Sequence, residues 1–581
     1  MAKLLSPLLG DRARGPRTVL EIDLSQGVVI NPPSTPWEAL RLRQAPSLGA
    51  LRRGLRRAAT DDEVLGLLIH VGTCPLSLAE ADEVGDLIEE FGRHKPTVAW
   101  TETFGEIGDG LAAYRVAVRA REIWVQPSGG LGLTGVALAV TLLRGGFDKL
   151  GVEPQFGQRH EYKSAADRFA ASEITAPVRE MTQRLADSIV EDTVALVARR
   201  RGVTTSAVEA AIAAAPLTPE AAREAGLVDH VGYYDDVRAA AREAWTPAWE
   251  LRYAHRYAAA TGRTAPAAQV VRRALPGHGT RTVGVVNVTG AIVLGPGNAR
   301  QAGSERVCAR LRALGRDDDV AAVLLRVDSP GGSYVASDSI RHEVLALREA
   351  GRPVVAQMGT VAASGGYFAA MGADEIIAQP TTITGSIGVL AGKFVLAGLL
   401  ERLGIQRETM TSGPRAAMLA PERPFTDEER AVLDSWLDDV YADFTTKAAA
   451  DRRQPLELLE PLARGRVWTG ADAHARGLVD HLGGSRLAID RVAALVGVPA
   501  DRLRMRTPSP FDVLKQLRPV ESSEAPGAVH AGGLWDALGL PASATAGSLG
   551  GPEAMISHWA ERLGMPLPAG VLALPWDLRL G

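Results

Sequence analysis

The sequence predicts an α/β protein built from two tandem repeats and a C-terminal extension. Three observations carry that prediction. The first is a set of words that recur along one diagonal. Glu122–Pro127 (EIWVQP) matches Glu375–Pro380 (EIIAQP) 253 residues later, and at the same offset Lys149–Val152 (KLGV) meets Arg402–Ile405 (RLGI) and Tyr114 meets Tyr367. Gly226–His230 (GLVDH) returns at Gly477–His481, offset 251, and Leu67–Val71 (LLIHV) matches the LLRV that precedes Asp328, offset 256. A period of about 250 residues is too long for a solenoid and reads as a duplicated domain. The second observation is that short, nearly continuous apolar runs alternate with helical stretches in both halves. The third is the composition. With 581 residues, 46% hydrophobic and 23% charged, the chain is an ordinary globular one with room for several compact units.

The elements follow in order. Val64–Val71, Thr97–Trp100 and Ile123–Val125 in the first half read as strands, and so do Val320–Val327, Val354–Met358 and Ile376–Ala378 in the second. Their uninterrupted apolar character is that of strands covered on both faces. Helical stretches such as Leu78–Phe91 and Ser337–Arg348 lie between them. Strand–helix alternation implies parallel strands joined by crossovers. A long amphipathic stretch then follows in each half, Pro177–Arg200 and Thr426–Ala450, the second opening with the capping-box pair Thr426 and Glu429. An Ala-, Arg-, Gly- and Pro-rich linker runs from about Ala258 to Thr280. After roughly Arg504 Gly, Pro, Ser and Ala dominate, which predicts loop with one short helix near Glu553–Leu563. The expected domains are therefore 16–257, 281–500 and a 505–581 extension.

Charge and cysteine content narrow the function classes. The formal net charge of −4 offers no basic field for nucleic acid. Two cysteines, Cys74 and Cys308, build neither a disulfide framework nor a Cys-rich zinc site. The apolar patch Leu4–Leu9 is too short for a signal-peptide core or a membrane span, and no apolar run elsewhere reaches about 18 residues. The expectation is a soluble, cytoplasmic protein, with a peripheral membrane contact left open. Of 64 basic residues only seven are lysine, so each lysine invites attention.

Two loops could carry chemistry. Asp328-Ser329-Pro330-Gly331-Gly332 follows a strand directly. Paired glycines there let backbone N–H groups approach an anion, although the string alone also reads as a Pro-Gly turn. Thr360–Tyr367 (TVAASGGY) follows the next strand, and its small residues allow a tight strand-to-helix turn with Ser364 at the helix start. The Ser364 hydroxyl is expected to be exposed there, where helix N–H groups favour negative charge. A helix-capping serine is the plainer reading. A serine nucleophile needs a base. No histidine lies between His342 and His474, but a desolvated lysine can serve. Lys163, in Glu161–Ala165 (EYKSA), is a surface lysine on local evidence alone. The repeat changes that. Its slot in the second half is Ala416, and the slot of Ser364 in the first half is Leu111. One half kept a lysine and the other a serine, as in a duplicated enzyme that divided one site.

Together the two halves, DSPGG, AASGGYFAA, TGSIG and EYKSA resemble the long, duplicated signal peptide peptidase A group of S49 serine peptidases. The resemblance covers roughly residues 16–500 and implies a ClpP/crotonase-type fold in each repeat. It implies peptide-bond hydrolysis by a Ser–Lys dyad, with Ser364 as nucleophile and Lys163 as general base. Gly331 or Gly332 would offer an N–H to the oxyanion. Ser386, in Thr384–Gly388 (TGSIG), matches the serine that orients the lysine, although it also reads as a turn serine. In single-copy relatives the lysine follows the serine by about fifty residues, the slot of Ala416. No metal or nucleotide cofactor is implied, and the family assembles as tetrameric bowls that admit unfolded peptides. The membrane anchor of many bacterial long forms has no counterpart here, and neither does the tail match a family segment. Two other readings remain: a crotonase-like acyl-CoA enzyme on the same fold, and a non-catalytic scaffold.

Overall fold

The computed structural model describes residues 17–30, 46–106, 109–257, 280–298 and 300–506. The expected linker, and the tail with its helix near Glu553–Leu563, lie outside the described residues. The chain forms two compact units. Among the described residues the first holds 17–30, 46–106, 109–135 and 193–257, and the second holds 136–192, 280–298 and 300–506.

The first unit is built on a six-stranded sheet in the order His230–Val231, Glu122–Val125, Thr97–Thr101, Val64–His70, Arg17–Asp23, Trp249–Tyr253. Every neighbouring pair is parallel. The second unit repeats this order with His481–Leu482, Glu375–Ala378, Val354–Ala363, Val320–Ser329, Arg281–Thr289 and Leu503–Arg506, again all parallel. Helices such as Leu78–Gly92 and Tyr334–Glu349 provide the crossovers that parallel pairing requires. The central strands are sealed on both faces: Val323, Leu325, Val355, Ala356 and Ile376 are all fully buried. That is why the sequence shows them as apolar runs rather than alternating ones.

The recurring words are structural fasteners. Tyr114 Oη donates to the Leu227 carbonyl at 2.7 Å, and Tyr367 Oη to that of Leu478 at 3.0 Å. Asp229 accepts from the Ile123 N–H and from Arg201, while Asp480 accepts from the Ile376 N–H and from Arg452. Each aspartate ties a strand start to the end of a long helix, Ala176–Arg201 or Asp427–Arg452. Thr426 and Glu429 form the expected capping box on the latter.

Two pairings depart from the all-parallel expectation. Ile383–Gly385 pairs parallel with the end of Val354–Ala363 and antiparallel with Val467–Thr469. Glu153–Arg159 pairs antiparallel with Val389–Val395 within the second unit. Val152 then packs on Leu396 and Leu400, and Phe156, Phe169 and Phe394 form an aromatic cluster. Among the described residues no helix is long and apolar enough to cross a membrane.

Candidate active site

The strand Val354–Ala363 ends at Ser364, and the helix Gly365–Met371 begins at the next residue. So abrupt a reversal forces Ser364 to φ 55° and ψ −115°, a sparsely populated region for a residue with a Cβ. Its N–H donates to the Gly385 carbonyl at 2.8 Å, and its own carbonyl accepts from the Phe368 N–H at 2.9 Å. The hydroxyl makes no capping bond. The glycines that follow are required by space. A Cβ on Gly366 would stand 2.5 Å from the Ser329 carbonyl oxygen, and one on Gly365 would stand 2.6 Å from Ser337 Oγ.

Lys163 reaches the same point from residues 136–192 of that unit. Its loop is held by two backbone bonds, Tyr162 N–H to the Arg464 carbonyl and Lys163 N–H to that of His160, both 3.2 Å. Lys163 Nζ lies 2.8 Å from Ser364 Oγ, 3.0 Å from Ser386 Oγ and 3.2 Å from the Ser386 carbonyl oxygen. All three side chains are fully buried. The Ser364 hydroxyl is thus not exposed as expected, because the lysine loop and Ser386 close over the turn. Burial disfavours the ammonium and holds the Lys163 pKa well below the ordinary lysine value. A buried lysine among hydroxyls and a carbonyl can accept a proton from Ser364, which is what general-base chemistry needs.

Ser386 is fixed as firmly as its neighbours. It sits at φ 51° beside Gly385 at φ 76°, and its N–H donates to the Arg466 carbonyl at 2.6 Å. The DSPGG loop lies against the helix start, since a Cβ on Gly365 would stand 3.1 Å from both Gly331 Cα and Gly332 N. The two glycine amides differ. Gly331 N–H donates to Ser329 Oγ at 3.2 Å. Gly332 forms a parallel bridge with Ile292 in which Ile292 N–H donates to the Gly331 carbonyl and Ser333 N–H to that of Ile292. That pattern turns the Gly332 N–H away from Ile292, and among the described residues it has no backbone acceptor. Gly365 N–H is a first-turn amide with no partner inside its own helix.

The structure therefore gathers Ser364, Lys163 and Ser386 at one point, with Gly331 and Gly332 beside the helix that starts there. Two residues were missed by sequence reasoning. Gly365 could have been found, because the residue after a helix-starting serine always offers an orphan N–H. Gly465, which backs the lysine loop, left no local signal. Ala416, the second-half lysine slot, is exposed, and Leu111 is buried at the start of the helix Leu111–Ala117.

A family model described as peptidase family S49 matches this chain twice, over residues 89–246 and 346–499. The chain belongs to peptidase family S49. The S49 peptidase is 31% identical over 472 residues to the serine protease SPPA of Arabidopsis thaliana chloroplasts, covering 80% of this chain and 68% of that one. It is 28% identical over 506 residues to protease 4 of Salmonella typhi, covering 82% and 78% of the two chains. To protease 4 of Haemophilus influenzae it is 27% identical over 465 residues, covering 77% and 72%. Among solved structures, a ClpP1 mutant from Listeria monocytogenes aligns with a TM-score of 0.24 and 14% identity, over 35% of this chain and 93% of that one. That likeness is too slight to bear on function. The S49 peptidase is a serine-type enzyme by its family and its named relatives, and its two matched stretches fall one in each repeat.

Proposed function

We propose that this S49 peptidase is an endopeptidase working through a Ser364–Lys163 dyad on signal peptides or other unfolded segments. The observation that carries the reading is the 2.8 Å separation of Lys163 Nζ and Ser364 Oγ inside a fully buried cluster. Neutral Lys163 takes the Ser364 proton as Oγ attacks the scissile carbonyl carbon. The C=O π electrons move to the oxygen, and the Gly332 N–H, with that of Gly365, stabilises the oxyanion. Gly331 N–H is already engaged by Ser329 Oγ, so Gly331 acts by shaping the loop. Collapse of the intermediate breaks the C–N bond, and the Lys163 ammonium gives its proton to the leaving amine. Water enters, Lys163 removes one of its protons as the water oxygen adds to the acyl carbon, and collapse breaks the C–Oγ bond, Ser364 Oγ taking that proton back from the Lys163 ammonium as the acid leaves. Ser386 Oγ and its carbonyl hold Nζ in line throughout.

The substrate class and a homotetrameric assembly rest on the family resemblance, and a cytoplasmic or peripherally membrane-attached enzyme fits the same reading. Hydrolysis of casein by wild type, Ser364→Ala and Lys163→Ala tests the dyad. Both variants are expected to lose at least about a thousandfold in kcat/KM with melting curves that stay cooperative. Activity that persists in Lys163→Ala would show that another base serves Ser364 and would overturn the mechanism.

A further inference from the structure

Within the second unit, the turn Arg464–Gly465–Arg466 touches Glu161, Tyr162 and Lys163 in one stroke. The turn is itself anchored. Arg464 N–H donates to Tyr441 Oη at 3.1 Å, Gly465 N–H to the Ile387 carbonyl at 2.7 Å and Arg466 N–H to that of Ala463 at 2.8 Å. From there its backbone reaches the site. The Arg464 carbonyl accepts the Tyr162 N–H, Gly465 presses on Lys163, and the Arg466 carbonyl accepts the Ser386 N–H. One turn therefore holds both the loop of the buried lysine and the serine beside its amine.

The side chains add a second grip. Arg464 forks onto Glu460, with Nε and Nη2 each 3.1 Å from a carboxylate oxygen, and its Nη1 lies 3.3 Å from Glu161 Oε1. The Arg466 guanidinium lies 4.8 Å from the Tyr162 ring centroid and 4.4 Å from that of Trp468, while its Nη2 donates to Glu180 at 2.6 Å. Glu161 and Tyr162 are the two residues before Lys163. The repeat supplies a contrast. The GLVDH offset of 251 places Thr218 opposite Thr469, and each caps the start of a short helix. The same offset places Ala213, Ala214 and Ala215 opposite Arg464, Gly465 and Arg466. The half without the serine has three alanines where the half with it has Arg-Gly-Arg.

We propose that Arg464 and Arg466 are positioning residues for the general base, holding Glu161 and Tyr162 so that the lysine loop stays docked and Nζ stays in line with Ser364 Oγ. This role rests on the dyad reading. The arginines act through Lys163 and not on substrate. Burial is what keeps the Lys163 pKa low. A loosened loop lets water reach the amine, and the pKa rises toward the ordinary lysine value.

The test measures kcat, KM and the pH profile on casein for full-length wild type, Arg464→Met, Arg466→Met, Glu161→Gln and Lys163→Ala. Each arginine variant is expected to lower kcat at neutral pH about tenfold, with KM within about twofold of wild type. The ascending limb, set by deprotonation of Lys163, should move up by at least about half a pH unit, so that the deficit narrows as pH rises. Glu161→Gln separates position from charge. Loss of a nearby anion by itself would lower the Lys163 pKa, whereas a loosened loop raises it, and an upward shift is expected. A limb that is unmoved or lowered in Glu161→Gln overturns the proposal. So does an unmoved limb in both arginine variants, or a raised KM with unchanged kcat. If an arginine variant loses cooperative melting, Glu161→Gln, which alters an exposed side chain, still decides. Activity that persists in Lys163→Ala overturns the dyad and this role with it. An inactive Lys163→Ala beside unmoved limbs overturns this role alone.

Discussion

Gly465 stands so close to Lys163 that a Cβ placed on it would lie 2.4 Å from the lysine Cβ and 2.5 Å from its Cα and amide nitrogen. The glycine itself sits at φ 81°, and its N–H donates to the Ile387 carbonyl at 2.7 Å. It therefore cannot yield without moving the backbone that also carries Arg464 and Arg466. Gly465→Ala is expected to push the lysine loop outward and lower kcat on casein about a hundredfold, the scale of an ångström-sized misplacement of a reacting group. Melting should stay cooperative. Activity within twofold of wild type would mean that the lysine position is set elsewhere.

The buried lysine also ties stability to pH. Its folded pKa lies well below the ordinary value because burial disfavours the ammonium. Between the folded and unfolded pKa values the unfolded chain binds one proton more, so stability rises with pH through that window and falls as pH falls. The slope is about 1.4 kcal/mol per pH unit for one such group. Lys163→Met removes it. The variant is expected to melt above wild type at neutral pH, with the gap closing as pH climbs toward the ordinary lysine pKa. Calorimetry of both proteins across that range checks this. Catalysis shares the sign: wild-type kcat/KM should rise with pH as Lys163 becomes neutral. Parallel melting curves at all pH values would mean that the lysine stays charged in the folded protein.

Much of this was legible in the sequence, for definite physical reasons. Val354 and Val320 open strands where the apolar runs open, because a strand sealed on both faces has no polar positions to blur its edges. The proposed division of roles between Lys163 and Ser364 came from reading the two local words, EYKSA and TVAASGGY, against the repeat offset. Glu153–Arg159 was not legible. Its EPQFGQR carries a proline, a glycine and little apolar character, and it is a strand only because Val389–Val395 lies beside it. Nor could sequence similarity show that residues 136–192 join the compact unit of the serine, since repeats are defined by likeness and compact units by contact. The burial of Ser364 depends on the lysine loop, a partner about 200 residues away.

Ser386 is a positioning residue in the proposed mechanism, touching the base rather than the substrate. Its hydroxyl and carbonyl oxygens are both within hydrogen-bond reach of Lys163 Nζ. Removing the hydroxyl takes away an acceptor that favours the ammonium, so the Lys163 pKa should fall further. Ser386→Ala is expected to lower kcat about tenfold or more and to shift the ascending limb of the rate profile, set by deprotonation of Lys163, toward lower pH. Ser386→Gly, which relieves the positive φ but also lacks the hydroxyl, should show the same shift. A fall in kcat with an unmoved limb would assign Ser386 to loop structure only.

The last prediction separates the two glycines of the DSPGG loop. Gly332 sits at φ 152°, and a Cβ on it would lie 2.1 Å from the Ile292 carbonyl oxygen, so Gly332→Ala must break the bridge that aims its N–H. Loss of one oxyanion donor costs on the order of 10²–10³ in kcat. A peptide aldehyde, which forms a tetrahedral adduct with a serine nucleophile, should lose affinity in parallel. Gly331 is reached through Ser329, whose Oγ accepts from Gly331 N–H and donates to the Gly290 carbonyl at 2.6 Å. Ser329→Ala loosens that brace without adding a Cβ to either glycine. It is expected to lower kcat by about tenfold while aldehyde affinity falls less than in Gly332→Ala. If the order were reversed, with Ser329→Ala the more damaging, the Gly332 amide would not be the donor, and the oxyanion would have to be stabilised by the Gly365 N–H without it.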